Sequence, residues 1–386
     1  MTSSVSLLRS SLALALIAAL AASCAQGPPS APVRSDAATF RVTEFARGLE
    51  HPWGAVFLPD GSGDMLVTER PGRLRRVTAD GRVSPPIPGV PEVAASGQGG
   101  LLDIALAPDF ASSREIFFCH GSAVPEGGAL TRLSRARLSA DGTRLEGTAT
   151  VLDAGPPQRL SWEHYGCRIA FSPDGRYLFF ATGERKQSER AQRLDDLAGK
   201  VLRLARDGSV PPDNPFVGRA DARPEIWSYG HRNPQGLAFN PWTGSLWEAE
   251  LGPRGGDEVN VIRRGANYGW PVVSQGLAYS GFRFTEHRSL PGMEDPAYNW
   301  TPSVSPSGIA FYDGAEFPGW RGSLFLATLS PPQLVRLTTA GDRVTGEERL
   351  LQGLVRMRHV LVGPDGRLYI LTDEPNGRIL RLDPAR

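Results

Sequence analysis

Between Glu225 and Trp270 the chain concentrates residue types that hold ions. Arg232, within Ser228–Gly236, offers a planar fork for a carboxylate or carbonyl oxygen. Proline has no backbone N–H, so Gly252-Pro253 is a turn rich in free carbonyls, which hard cations such as Ca²⁺ accept as ligands. Asp257 and Glu258 add carboxylates beside it, and Asn267–Trp270 follows. His164 is the residue type best suited to general-base work near neutral pH, and Glu184 lies twenty residues on. Arg356 and Arg358 stand at i and i+2, which on a strand puts both guanidiniums on one face, toward a polyanion. The combination implies a bound cation with an anionic cofactor or substrate.

Each feature alone has a plainer use. A lone histidine is more often structural than catalytic. The Gly97–Leu102 run is a structural loop by itself, because Leu102 stands where a dinucleotide fingerprint needs glycine. Tyr268, Trp270, Tyr279 and Trp300 read as core, or as walls for a flat ring. The histidines make no HxH or HExxH pattern, and there is no G-x-S-x-G elbow, P-loop or EF-hand loop.

The elements that must position these residues are repeats. An apolar run, a Pro-Asp-Gly type turn and a second apolar run recur six times, starting near Gly54, Ile104, Ile169, Leu237, Ile309 and Val360. Alternation and β-branched or aromatic content predict strands, and the turns predict hairpins. Third strands are expected at Arg73–Val77, Lys200–Leu204, Gln333–Leu337 and Arg378–Leu382. Small antiparallel sheets repeated in this way predict an all-β fold, a six-bladed β-propeller of four-stranded blades over residues 40–386. Phe40–Phe45 is placed to supply the outer strand of the last blade and close the ring. In the third repeat, entry to one strand and exit from its partner share one end of a hairpin, so Glu184 can reach the His164 imidazole.

Residues 1–24 read as an export signal: Arg9 precedes the apolar run Leu12–Ala22, which is too short to span a bilayer. Leu20–Cys24 resembles a bacterial lipoprotein box, so lipidation of Cys24 and membrane attachment in the periplasm are expected, with ordinary signal-peptidase cleavage as the alternative. Residues 25–39, rich in Pro, Ala and Ser, read as a flexible tether. Cys119 and Cys167 lack metal spacing and are either paired or free buried thiols. Lys+Arg 42 against Asp+Glu 41 leaves a net charge of +1, which argues against a nucleic-acid partner.

Taken in order, Gly97–Leu102, His164 with a following carboxylate, Gly230–Gly236, Gly252–Glu258, Asn267–Pro271 and Arg356-x-Arg358 resemble the soluble pyrroloquinoline quinone (PQQ) dependent aldose sugar dehydrogenases, relatives of soluble quinoprotein glucose dehydrogenase. The resemblance spans residue 40 to the C-terminus. It implies the same six-bladed propeller and oxidation of an aldose at its anomeric carbon to a lactone. His164 would be the base, oriented by Glu184, and Arg232 would stabilise developing negative charge on PQQ. Gln98, Arg232, Asn233, Tyr279, Thr328, Ser330, Arg356 and Arg358 would contact PQQ. The Gly252 and Pro253 carbonyls would hold a catalytic Ca²⁺, and Glu258 and Tyr268 a structural one. The chain departs from the family pattern at Ser330, where Lys is common, at His359, where Asp is usual, and at Cys167, where a small residue is usual. Glu184 matches the aldose branch, not the glucose-specific one.

Two rival readings share the fold. A calcium-dependent lactonase-like hydrolase would bring several carboxylates and Asn to one channel cation, and a non-catalytic binding propeller would not need His164, Arg232 and Arg358 together. The physiological sugar, the electron acceptor and the oligomeric state leave no readable pattern.

Overall fold

The computed structural model describes residues 27–385; the expected signal segment and Cys24 lie outside them. Six antiparallel sheets run in chain order around one axis. Their inner strands are Pro52–Phe57, Leu101–Leu106, Gly166–Phe171, Pro234–Phe239, Pro306–Phe311 and Met357–Val362. Each packs against the next, and the sixth returns to the first.

Blades 2 to 5 have four strands each. Blade 1 has three, and only isolated bridges (Leu74 with Ile87, Val77 with Val83) mark the fourth position. Pro85, Pro86, Pro88 and Pro91 crowd that outer segment and cannot donate to a ladder. Blade 6 has five strands, because Thr39–Leu49 pairs with Gly377–Pro384 and so closes the ring with N-terminal chain. Val33–Arg34, inside the stretch read as a tether, adds a short edge strand to it. Each expected third strand is found, as Arg73–Val77, Lys200–Ala205, Pro332–Ala340 and Gly377–Pro384.

Six apolar cores fill the spaces between neighbouring blades, as expected where each sheet buries both faces. The core between blades 3 and 4 is the smallest, because charged side chains take part of that space. Cys119 of blade 2 and Cys167 of blade 3 form a disulfide, so of the two sequence alternatives the paired one holds. Among the described residues no helix is long and apolar enough to cross a membrane.

Candidate active site on the propeller axis

The third blade builds the first half of the site. Its inner strand begins at Gly166, paired with Thr182 at the end of the neighbouring strand, so the residues flanking both meet at one end of the hairpin. His164 Nδ1 lies 2.6 Å from Glu184 Oε2, as the hairpin argument predicts. Both side chains are buried. His164 has φ 52°, a left-handed conformation uncommon outside glycine, held by its N–H donating to Gln98 Oε1 at 2.9 Å. Gly183 permits the approach: a Cβ there would stand 2.2 Å from the His164 carbonyl oxygen and 2.9 Å from Asn233 Oδ1.

With Glu184 accepting from Nδ1–H, the Nε2 lone pair is the free one. Burial pushes the imidazole below its ordinary value, and Glu184 opposes that shift. The ring is therefore neutral, and available as a base, at neutral pH.

The adjoining axial cavity, of about 160 Å³, is lined by Gln98, Tyr165, Gly166 and Asn233 on the His164 side and by Arg70, Arg356, Arg358 and Asp373 opposite. Arg356 and Arg358 converge, as expected from their spacing, but on a carboxylate that sequence reasoning missed. Asp373 Oδ2 accepts from Arg356 at 3.1 Å and from Arg358 at 2.8 Å. Burial opposes ionisation of Asp373, yet Arg358, His51 and Arg356 together hold its carboxyl far below the usual range. Three guanidiniums against one carboxylate leave the cavity wall positive.

The floor is also a finding of the structure. Arg168, fully buried, reaches Gln235 O at 2.5 Å, Asp103 Oδ1 at 3.1 Å, His359 Nδ1 at 3.2 Å and Arg358 O at 3.3 Å, and its guanidinium lies 4.0 Å from the Trp53 ring centroid. These partners come from the inner strands of blades 1, 2, 4 and 6, so one side chain ties four blades to its own beneath the cavity. His359 occupies the space left by Gly308 on the fifth blade, where a Cβ would meet it at 2.1 Å. The departure at His359 thus has a structural partner in Arg168.

Arg232 stands in a loop pinned by Glu250, whose Oε2 accepts the N–H groups of Arg232 and Asn233 at 2.5 and 3.2 Å. Its Nη1 donates to Leu251 O at 2.8 Å, its guanidinium lies over the Trp270 ring, and among the described residues its buried Nε has no hydrogen-bond partner. Asn233 Oδ1 accepts from Gly166 N and Gln235 Nε2.

Other expected contacts are not brought to the cavity. The Thr328 hydroxyl is engaged by Pro331 O, Gln333 O and Gln333 N, and Ser330 is exposed; Leu329 lines the cavity in their place. Tyr279 is 67% exposed, with Lys186 Nζ 5.5 Å from its ring centroid. These two strand-end positions and Tyr279 thus lie outside the cavity lining. Lys186 and Arg70 went unnoticed in the sequence because neither belongs to a local pattern.

The cation expectations can be tested against donors. Among the described residues nothing donates a hydrogen bond to the Gly252 or Pro253 carbonyl, so both oxygens are open to a hard cation. Asp257, beside them, is satisfied by the N–H groups of Gly252, Val304 and Ser305. Glu258 lines a small cavity with Glu250 and Tyr268. The Tyr268 hydroxyl itself donates to Val261 O and accepts from Arg263 N, so any role for Tyr268 excludes its hydroxyl. Burial and the charge of Glu250 push Glu258 well above the ordinary carboxylate range.

These features define a class: a six-bladed propeller whose axial cavity joins a cationic wall to a buried imidazole–carboxylate pair. The family follows from comparison with known proteins. The model of the Glucose / Sorbosone dehydrogenase family matches residues 49–381, and the chain belongs to that family. It is 45% identical over 350 residues to the aldose sugar dehydrogenase YliI of Escherichia coli (strain K12), covering 90% of this chain and 94% of that protein. It is 27% identical over 432 residues to quinoprotein glucose dehydrogenase B of Acinetobacter calcoaceticus, covering 89% and 88%. The PQQ-bound structure of the aldose sugar dehydrogenase from Streptomyces coelicolor superposes with a TM-score of 0.74 at 33% identity, covering 92% of this chain and 99% of that one.

Proposed function

We propose that this protein oxidises the anomeric carbon of aldose sugars to the lactone, using PQQ and Ca²⁺, with His164 as general base. The observation that carries the reading is the buried His164–Glu184 pair, 2.6 Å apart, beside a cavity lined by three arginines. PQQ bears three carboxylates, which suits Arg70, Arg356 and Arg358, the three guanidiniums that line the cavity. The open carbonyls of Gly252 and Pro253 suit Ca²⁺. When bound, PQQ supplies a two-electron acceptor and Ca²⁺ a Lewis acid.

The chain's own residues do the rest. His164 Nε2 takes the proton of the anomeric hydroxyl as the sugar is oxidised. Glu184 holds the tautomer that leaves Nε2 free and stabilises the imidazolium that forms. Arg232, fixed by Glu250 and Leu251, places a permanent positive charge at the cavity edge, where it favours negative charge developing on the electron acceptor. Arg356 and Arg358, pre-positioned on Asp373, bind carboxylates without reorganising.

A lactonase-like hydrolase would need several carboxylates turned toward one channel cation, and the sole carboxylate lining this cavity, Asp373, is occupied by two arginines. A non-catalytic propeller gives no reason to bury a histidine on a glutamate in a left-handed backbone conformation. Adding PQQ and Ca²⁺ to the purified protein, then an aldose and an artificial electron acceptor, should give turnover that depends on both additions. Absence of turnover across a panel of aldoses would sink the reading. Export and lipidation at Cys24 are part of the proposal, and a Cys24→Ala protein that remains in the membrane fraction would remove the anchor from it.

A further inference from the structure

The space between blades 3 and 4 holds an acidic cluster of which the sugar chemistry uses only Glu250, through the oxygen that anchors the Arg232 loop. Strand register sets Glu248 opposite Asn260 and Glu250 opposite Glu258. Directly opposed residues share a face, as do residues at i and i+2, so all four side chains project together. Leu246 and Ile262, on the same face, pack against Phe179, Ala181 and Val201 of blade 3, so the face is an interblade one. Glu248, Glu250, Asn260 and His231 are at most 4% exposed.

Three other buried carboxylates of this propeller have an arginine: Asp103 has Arg168, Asp196 has Arg190 and Asp373 has Arg358, while buried Asp257 is met by three backbone N–H groups and Glu184 by an imidazole. Among the described residues no Lys or Arg forms an ion pair with Glu248, Glu250 or Glu258; the sole basic neighbour is His231, with Nδ1 3.3 Å from Glu250 Oε1. Glu250 Oε2 accepts backbone N–H groups, and Glu248 Oε2 accepts from Asn260 Nδ2 at 3.1 Å. Among the described residues Glu248 Oε1 and Asn260 Oδ1, both buried, have no hydrogen-bond partner. Buried oxygens of this kind are strongly unfavourable unless something positive faces them.

We propose that Glu248, Glu250 and His231, with the Asn260 side-chain oxygen, form a site for a divalent cation of the Mn²⁺ or Zn²⁺ class between blades 3 and 4. Ligand-capable atoms of His231, Glu248 and Glu250 all lie within 4.8 Å of one another. His231 Nε2 lies 2.9 Å from Ser228 Oγ; donation along that bond leaves the Nδ1 lone pair facing the carboxylates, the orientation a metal-ligating imidazole needs. Two carboxylates balance a dication. An imidazole nitrogen among the donors favours first-row transition ions over Ca²⁺, whose proposed ligands elsewhere in this chain are all oxygens. Because Glu250 also carries the Arg232 and Asn233 N–H groups, the ion would brace the loop that presents Arg232.

The test uses full-length protein stripped with a chelator, then titrated separately with Mn²⁺, Zn²⁺ and Ca²⁺ while metal content and melting temperature are measured. The parent should take up one equivalent of Mn²⁺ or Zn²⁺ and gain about 3–5 °C at a hundredfold excess over Kd. Glu248→Gln should lose that equivalent and that gain. Stripped of metal, it should melt at or above the stripped parent, because the amide removes an uncompensated charge, and this guards against a folding artefact. Glu258→Gln should keep the equivalent. Retention of the ion by Glu248→Gln, no response of the parent to Mn²⁺ or Zn²⁺ (as protonated carboxyls would give), or a response to Ca²⁺ alone that Glu258→Gln abolishes would each overturn the site. None of these outcomes depends on PQQ or turnover, so the site and the sugar reading fail separately.

Discussion

Two carboxylates flank the axial cavity, Glu184 buried behind one wall and Asp373 lining the other, and they are used differently. On one wall Glu184 takes a single imidazole, a partner that can gain and lose a proton near neutral pH. On the other, Asp373 takes two guanidiniums, which do not titrate, on Oδ2 and the His51 imidazole on Oδ1, and Arg70 adds a third guanidinium to the wall. The first wall can move a proton, whereas the second holds fixed positive charge for an anion. The contrast assigns chemistry to the His164 side and binding to the Arg356–Arg358 side, and substitutions on each wall should therefore move different observables.

The largest effect is expected at His164. His164→Ala should fold and bind PQQ and Ca²⁺ like the parent, while PQQ reduction by an aldose slows by about 10²–10⁴-fold, the range for losing a positioned base. Stopped-flow reduction of bound cofactor isolates this step from the electron acceptor. A parental rate would end the division between the walls.

Arg358→Ala should do the reverse, weakening PQQ binding by about 10–10²-fold through loss of charge-assisted bonds worth about 1.5–3 kcal/mol. The reduction rate at saturating cofactor should change far less. If calorimetric titration shows parental affinity, the cationic wall is not where the anion sits.

How much of this division was legible depended on how local each interaction is. The His164–Glu184 pair was readable because a hairpin's own geometry brings its two ends together. The closing strand was readable because Phe40–Phe45 precedes the first repeat and the last repeat lacked an outer partner. Arg356 and Arg358 were readable as neighbours, but the bulge between Met357 and His359, and Asp373 across the strand pair, carry no periodic signal. The Arg168 floor was invisible for the same reason: Asp103 is 65 residues away in sequence and His359 is 191. That Thr328 and Tyr279 lie outside the cavity lining was not legible, because family position says nothing about local competition, and the turn after Leu329 captures the Thr328 hydroxyl.

The proton-holding wall also predicts a pH profile. Protonated His164 cannot act as a base, so cofactor reduction should fall in acid. Burial depresses the imidazole, so this limb should lie below the ordinary value of 6.5. Glu184 counteracts burial, and Glu184→Gln should therefore move the limb to still lower pH while costing less rate than His164→Ala. An acid limb that is unmoved in Glu184→Gln would mean that some other group sets it.

The smallest effect is expected from Asp373→Asn, which tests the cationic wall from beneath. The substitution keeps the shape but leaves Arg358, almost buried, facing Arg356 without a counter-charge. Since Arg356 is half exposed, solvent screens part of the loss, and the cost at neutral pH should be about 1–3 kcal/mol. The sign of the pH dependence follows from the depressed carboxyl. A folded pKa below the unfolded one contributes stability that is fully present above the ordinary aspartate range and is lost as pH falls toward the folded value. Parent and variant denaturation curves should thus differ at pH 7 and converge in acid, because protonated Asp373 resembles Asn. At the same time the variant's wall gains a net positive charge, so PQQ affinity should hold or rise while the Arg358→Ala affinity falls. Stability curves that stay parallel down to strong acid, or an Asp373→Asn protein that loses cofactor as Arg358→Ala does, would show that Asp373 serves as more than the support of Arg356, Arg358 and His51.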